Sequence, residues 1–384
     1  MTTPFRTDAG LLTDAEGRVP DMLADLGRLI ERETPTADRV AVAAAAADAA
    51  ALVAERTGLA AESLVVDGCT HLRVRGDDAA PNRVLLLAHL DTVWPIGTLA
   101  RLPFAVTDGV IRGPGSFDMK TGLVMAIHAL ALLRDAGRPP RGVCLLVTGD
   151  EEIGSPTSRE LILTEAAGAR AALVLEAAGP GGAWKVGRKG VARYLVEIAG
   201  RAAHAGLDPE KGVNAGLELA HQIAAIAGLG DAALGTTVTP TTLGGGTAIN
   251  TVPATAWVEV DSRARTAQEQ QRVDTAMHAL TPVLPDASIR VDGGINRPPM
   301  EPASGAGLVD LGTEVAAELG IVAPGTMEVG GGSDGNFTAA AGVPTLDGMG
   351  AVGDGAHADH EHALVDQLGP RTALLAALVA RLLD

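Results

Sequence analysis

Three runs of almost pure aliphatic sequence constrain this chain most: Val84 to Leu87, Gly142 to Thr148 and Ala171 to Leu175. Strands apolar on both faces sit inside sheets covered by helices. The segments between them have helical spacing, with Leu123, Ile127, Leu130 and Leu133 on one side of a helix from Thr121 to Leu133. Strands alternating with helices predict an α/β sheet. Each run also ends in charge or imidazole: His89 and Asp91 after the first, Asp150, Glu151 and Glu152 after the second, Glu176 after the third. In such sheets ligands bind outside the carboxyl ends of the strands.

The 384 residues exceed one ordinary core, so two or three domains are expected. From Gly190 to Val291 the pattern reads β-α-β-β-α-β, a ferredoxin-like arrangement complete in about a hundred residues. A smaller domain is placed at 187–297. A helix near Gly307 to Leu319, a strand near Val343 to Leu346 and a last helix from Leu364 to Leu382 return to the first domain, 1–186 and 298–384.

Composition removes several functions. Aromatics are 2% of the chain and the formal charge is -17, which leaves no stacking platform and repels a phosphate backbone, so nucleic acid is not an expected partner. Two cysteines make no disulfide framework and no zinc finger, so a metal would be held by His, Asp and Glu. The N-terminus lacks the basic and apolar regions of a signal peptide, and the expectation is a cytoplasmic protein with no membrane association. No GxGxxG follows the first strand, and GGGSDG lacks the phosphate-loop pattern.

The chemistry collects at strand ends and glycine-rich loops. His89 and Asp91, two apart, share a face if the strand persists; they fit a metal ligand with a carboxylate orienting it, or equally a strand end followed by a turn. Adjacent Glu151 and Glu152 point apart, so one carboxylate could bind metal while the other takes a proton from a bound water, whose pKa a metal lowers to about 7. The same DEE also suits a solvated turn at a helix start. Imidazoles with surplus carboxylates and no thiolate suit Zn²⁺ or another first-row ion, and two ions better than one, with Asp118 placed to bridge. His128 is read as structural.

HLDTVWP, GPGSFDMKTG, VTGDEEIGS, VLEAA, RAAHAG and GDGAHA follow one another as in the di-zinc hydrolases that include acetylornithine deacetylase, succinyl-diaminopimelate desuccinylase, aminoacylases and glutamate carboxypeptidase. The chain resembles this family from about residue 15 to its end, and its glutamate carboxypeptidase branch most. The resemblance implies a catalytic domain with a central mixed sheet flanked by helices, and an inserted α+β lid that also dimerises. It makes His89, Asp118, Glu152, Glu176 and His357 the ligands of two Zn²⁺ ions, with Co²⁺ or Mn²⁺ as substitutes. Asp118 bridges, through a peptide bond to Met119 that the family often holds cis. Asp91 orients His89 and Glu151 is the general base. His204 stabilises the oxyanion in the partner subunit's site, and Asn250, Arg263 and Arg297 contact substrate. His357 is chosen over His360 and His362 because it follows Gly355-Ala356 in the family's register.

The expected activity is hydrolysis of the amide bond of a peptidyl or N-acyl amino acid by a homodimer. An N-acyl-amino-acid or acylornithine-type deacylase, or a dipeptidase, is the alternative on the same fold. A binding protein that had lost the chemistry would lack a ligand or the base, and none is missing.

Overall fold

The computed structural model describes residues 9–77 and 83–384. The first eight residues, part of the stretch read above for a signal peptide, lie outside it. The chain forms two compact units, 9–186 with 302–329 and 333–384, and 187–301 with 330–332.

The first unit is built on a six-stranded mixed sheet. Its order is Ala61–Val66, Cys69–Arg75, Val143–Thr148, Val84–His89, Ala171–Val174, Thr345–Leu346. The last four strands run parallel, whereas Cys69–Arg75 is antiparallel to both its neighbours. All six residues of Val84–His89 are buried, as a strand covered on both faces requires. Alternation along it divides the core: Val84 and Leu86 join the cluster formed with helices Val19–Ile30, Thr121–Asp135 and Leu368–Leu383, while Leu85 and Leu87 pack with Ile162, Ala166 and Phe337 on the other face.

Local chemistry sets the helix ends. Asp38 caps Arg39–Thr57 by accepting from the amides of Val40 and Ala41, and Gly58 closes it in the left-handed region. Thr121–Asp135 is buried through Leu133, so its apolar character serves the core; the stretch Ser116–Asp135 has membrane-spanning length, but 94% of its most apolar window lies inside the fold. His128 in this helix donates from Nε2 to the Asp25 carboxylate at 2.8 Å, and Arg56 grips the same carboxylate, a buried polar link between three helices.

A second, four-stranded sheet of short strands was not visible in the sequence: Ala105–Thr107, Val110–Arg112, Gly353–Asp354 and His362–Leu364. It pairs His362 with Arg112 and Ala363 with Ile111, fastening the C-terminal histidine loop beside the loop that leads to Asp118.

The second unit has four antiparallel strands in the order Thr237–Gly245, Thr255–Ala264, Gly190–Ala199, Ser288–Arg297, with helices Ala215–Ala227 and Ala267–His278 supplying its core. This is the ferredoxin-like order. The last strand is longer than the sequence suggests because it continues through Gly293 and Gly294. A Cβ on Gly293 would lie 2.2 Å from the Arg193 carbonyl oxygen, so the pair reads as a turn but serves close strand approach.

Candidate active site

Strand register brings the acidic ends to one level. His89 pairs with Thr148, so the Asp150-Glu151-Glu152 turn starts where the central strand stops. On its other side Leu87 pairs with Val174, the Leu175 amide donates to the Leu87 carbonyl at 2.8 Å, and Glu176 follows. Asp118 enters from the loop before helix Thr121–Asp135, and its peptide bond to Met119 is cis. His357 comes from a tight loop in which it and Gly355 both have positive φ, 62° and 83°.

Two ligand groups result, and they share Asp118. His89, Asp118 and Glu176 form one; Asp118, Glu152 and His357 form the other. His89 Nε2 lies 3.3 Å from Asp118 Oδ1 and 3.5 Å from Glu176 Oε1. His357 Nε2 lies 3.4 Å from Asp118 Oδ2 and 3.2 Å from Glu152 Oε2. Each oxygen of Asp118 thus faces its own imidazole. Ligands about 2.1 Å from a tetrahedral zinc are roughly 3.4 Å from one another, so both groups have the spacing of a closed coordination edge.

Two further details fit a cation. His89 Nδ1 lies 2.9 Å from the Asp91 carbonyl oxygen, which can only accept, so Nδ1 carries a proton and Nε2 is the atom turned toward the carboxylates. Glu152 Oε1 is buried without a hydrogen-bond partner. The charge balance points the same way. Burial alone would depress the His89 pKa, yet Asp118, Asp91 and Glu176 hold it well above the usual value. Asp118 and Glu152 push His357 up to about 10, while burial raises Glu152. Burial would raise Asp118 too, but the two imidazoles hold it below the usual carboxylate range. The cluster draws positive charge to itself.

The Asp91 carboxylate braces the neighbouring turn as well as facing His89. It is 3.5 Å from His89 Nδ1 and also accepts from the amides of Glu151, at 3.1 Å, and Glu152, at 3.2 Å, and from the Thr36 hydroxyl at 2.7 Å. The main-chain carbonyl of Asp91 orients the imidazole, and its side chain fixes the turn carrying Glu151, which is 8% exposed.

Glycine-mediated packing holds Glu176. The preceding Leu175 carbonyl is pinched between the start of helix Thr121–Asp135 and the loop at Gly350: a Cβ on Gly122 would fall 2.0 Å from its oxygen, and one on Gly350 would fall 2.1 Å from it. The Gly350 amide donates to the Glu176 carbonyl at 2.8 Å, and buried Arg371 donates to the Gly350 carbonyl at 2.7 Å. A third group, Cys69, His71 and Asp150, has metal-like spacing but is already hydrogen-bonded. His71 accepts from the Gly149 amide on Nδ1 and meets Thr157 on Nε2; Asp150 accepts from Thr157 and Ser158; Cys69 donates to Gly149. It shapes the DEE turn.

A family model described as Peptidase family M20/M25/M40 matches residues 85–381. The chain belongs to this family. Carboxypeptidase G2 of Pseudomonas sp. (strain RS-16) is 31% identical over 97% of this chain and 91% of its own length. The succinyl-diaminopimelate desuccinylase of Wolinella succinogenes is 28% identical over 76% of this chain and 83% of its own. An M20 family metallo-carboxypeptidase from Sulfolobus solfataricus superposes with a TM-score of 0.71 at 17% identity, covering 94% of this chain and 98% of that one. As an M20 peptidase the protein is a metal-dependent hydrolase, and its two ligand groups are candidate sites for a dinuclear centre.

His204, Asn250, Arg263 and Arg297 lie in the second unit. Exposed His204 accepts on Nδ1 from the amides of Gly206 and Leu207, both at 3.1 Å, so its Nε2 carries the proton and can donate. Asn250 precedes Thr251, which bridges to His204. Arg263 pairs its Nε and Nη2 with both oxygens of Asp261, at 2.7 and 2.8 Å, so its fork is already engaged. Arg297 is 6% exposed at the end of its strand. His360 and His362 belong to neither ligand group. Glu361 between them went unnoticed in the sequence, yet it is 3% exposed and hydrogen-bonded to the Asp118 loop.

Proposed function

We propose that this M20 peptidase hydrolyses the amide bond of a peptidyl or N-acyl amino acid and releases an amino acid with a free α-carboxylate, in the manner of a glutamate carboxypeptidase. One observation carries the dinuclear reading: the two oxygens of Asp118 face two separate imidazoles, each backed by its own glutamate. His89, Glu176 and Asp118 would hold one Zn²⁺, and Glu152, His357 and Asp118 the other. Zinc supplies Lewis acidity and lowers the pKa of water when bound. Glu151, set by the Asp91 brace, takes the proton from the attacking water and passes it to the departing amine. The identity to carboxypeptidase G2 over nearly the whole chain supports the substrate class.

The second unit acts as lid and dimerisation domain in this reading. His204, fixed as an Nε2 donor, meets the oxyanion in the partner subunit's site, and Asn250 and Arg297 bind substrate. Arg263 takes a carboxylate only by sharing or releasing Asp261. The desuccinylase relative supports an N-acyl-amino-acid deacylase as the second reading.

The test is a panel of peptidyl- and N-acyl-glutamates against other N-acyl amino acids, run with metal analysis and with Glu151→Gln. Preference for glutamate release, two metal equivalents and a loss of about 10²–10⁴ in kcat for the variant with both metals retained are expected. Full activity in Glu151→Gln, or no bound divalent ion, refutes the mechanism. Preference for another amino acid moves the assignment to the deacylase. A monomeric mass in solution refutes His204 acting across subunits.

A further inference from the structure

We propose that Glu361 is a positioning residue that sets the separation of Asp118 and His357, and through it the affinity of the second metal position more than that of the first, which shares only Asp118 with it. The proposal rests on the two-ion reading above. Its foundation is a fully occupied buried carboxylate. Oε2 accepts from Trp94 Nε1 at 2.7 Å and from the Gly115 amide at 3.1 Å. Oε1 accepts from the Phe117 amide at 2.9 Å and the Asp118 amide at 3.1 Å. A carboxylate offers about four lone-pair directions, so none is left for a metal or a substrate. Three backbone donors of one loop, those of Gly115, Phe117 and Asp118, surround the anion as a nest, with the indole as a fourth wall.

This anion ties together three parts of the chain that the main sheet leaves separate. Trp94 follows the central strand, the three amides belong to the loop that ends in Asp118, and Glu361 stands four residues beyond His357. The His357 loop is itself stiff: the Ala358 amide donates to Gly355 at 2.9 Å and the Glu361 amide to Ala358 at 2.8 Å. A side chain on Gly355 would approach the Glu361 nitrogen to 2.8 Å. Glu361 therefore clamps the backbone of one ligand to the loop bearing the other. His89 and Glu176 are positioned by sheet register and do not depend on this clamp.

The selectivity between positions separates this role from simple structural support, because general destabilisation would weaken both metals. In Glu361→Gln one oxygen is replaced by an amide nitrogen that faces two N–H donors instead of accepting from them. Trp94→Phe removes a single donor and leaves the nest. The full-length chain, stripped of metal, is titrated with Co²⁺ and followed by absorption and calorimetry, with backbone amide exchange measured at Gly115, Phe117 and Asp118. The expected result is a first equivalent within about threefold of wild type. The second is expected to be 10- to 100-fold weaker in Glu361→Gln and less weakened in Trp94→Phe. Lost protection at the three amides accompanies it. Two equivalents bound with wild-type affinities, equal weakening of both, or retained amide protection overturns the proposal. If Glu361→Gln does not refold, Trp94→Phe decides by the same readouts. A wild-type chain that takes up fewer than two equivalents overturns the two-ion reading, and the exchange data then decide the clamp by themselves.

Discussion

Replacing Gly122 by alanine sets two rules against each other. Gly122 is the second residue of helix Thr121–Asp135, and helix propensity alone makes Ala more stable there by at most about 1 kcal/mol. The structure predicts the opposite sign. The new methyl would fall 2.0 Å from the Leu175 oxygen, 3.1 Å from its carbonyl carbon and 3.2 Å from its Cβ. These are backbone or backbone-adjacent atoms, so no rotamer change relieves the contact. Ordinary contact begins near 3.4 Å, and the helix must retreat by roughly 1 Å or more. Every residue from Thr121 to Leu133 is buried, so that retreat opens gaps along the whole helix, and a gap of about 0.5–1 Å forfeits a quarter to a half of a dispersion contact. Overpacking of this kind costs about 1–3 kcal/mol or more, which exceeds the propensity gain. Net destabilisation of about 2 kcal/mol is expected in urea unfolding followed by far-ultraviolet circular dichroism. Because the retreat moves the Asp118 loop away from Glu176, metal affinity should also fall, by about tenfold for each 1.4 kcal/mol lost. A Gly122→Ala protein as stable as wild type, or more so, would refute the argument that this glycine exists for close approach.

Three further perturbations follow from the same structure. Burial pushes Asp25 up, but His128 and Arg56 outweigh it and hold its carboxyl below the usual range. Its stabilising contribution is therefore complete above the unfolded value near 3.9 and disappears as pH falls through the lower folded value; the stability gap between wild type and Asp25→Asn should narrow between pH 5 and pH 3, and a constant gap in urea midpoints would contradict it. Glu165, 2% exposed, accepts from Arg73 at 2.8 Å and Arg75 at 2.7 Å. Glu165→Ala should lower stability by about 2 kcal/mol, discounted for the partial exposure of both arginines, with a change under about 0.5 kcal/mol in the unfolding free energy counting against it. Metal removal by a chelator should lower the unfolding temperature and zinc at about 100 times its Kd should restore about 2.7 kcal/mol; an unfolding temperature indifferent to both treatments would contradict a metal-binding native state.

The parts of this protein that could be read from its sequence are those where one physical rule acts alone. Val84–His89, Val143–Thr148 and Ala171–Val174 are buried on both faces, and their aliphatic runs carry no competing signal. The ferredoxin-like order was legible because its strands alternate cleanly, with Ala256, Val258 and Val260 buried and Thr255, Trp257 and Glu259 exposed. The strand expected from Val343 shrank to Thr345–Leu346, and the last helix begins at Leu368 after a short turn. There the apolar pattern continues past the point where pairing stops.

What escaped the sequence is the set of groups whose role depends on partners far along the chain. Lys120 looks like a surface lysine at a helix start, yet it is 1% exposed and donates to the carbonyls of Leu29 and Arg32, with burial lowering its pKa to about 7. Arg371 sits inside an aliphatic helix and answers only carbonyl oxygens, those of Gly182, Gly348 and Gly350. Both set a basic side chain against main-chain carbonyls of separate loops. Glu361 is the converse, an anion satisfied by N–H donors alone. Exposed His360 and half-buried His362 flank it, and the sequence reading passes over both and Glu361 in favour of His357. A periodicity rule sees neighbours in sequence, and these three groups answer backbone atoms up to 246 residues away, as in the Glu361 contact with Gly115. The ligands could therefore be recognised by type and spacing, whereas the groups that hold the ligands became recognisable only once the loops were brought together.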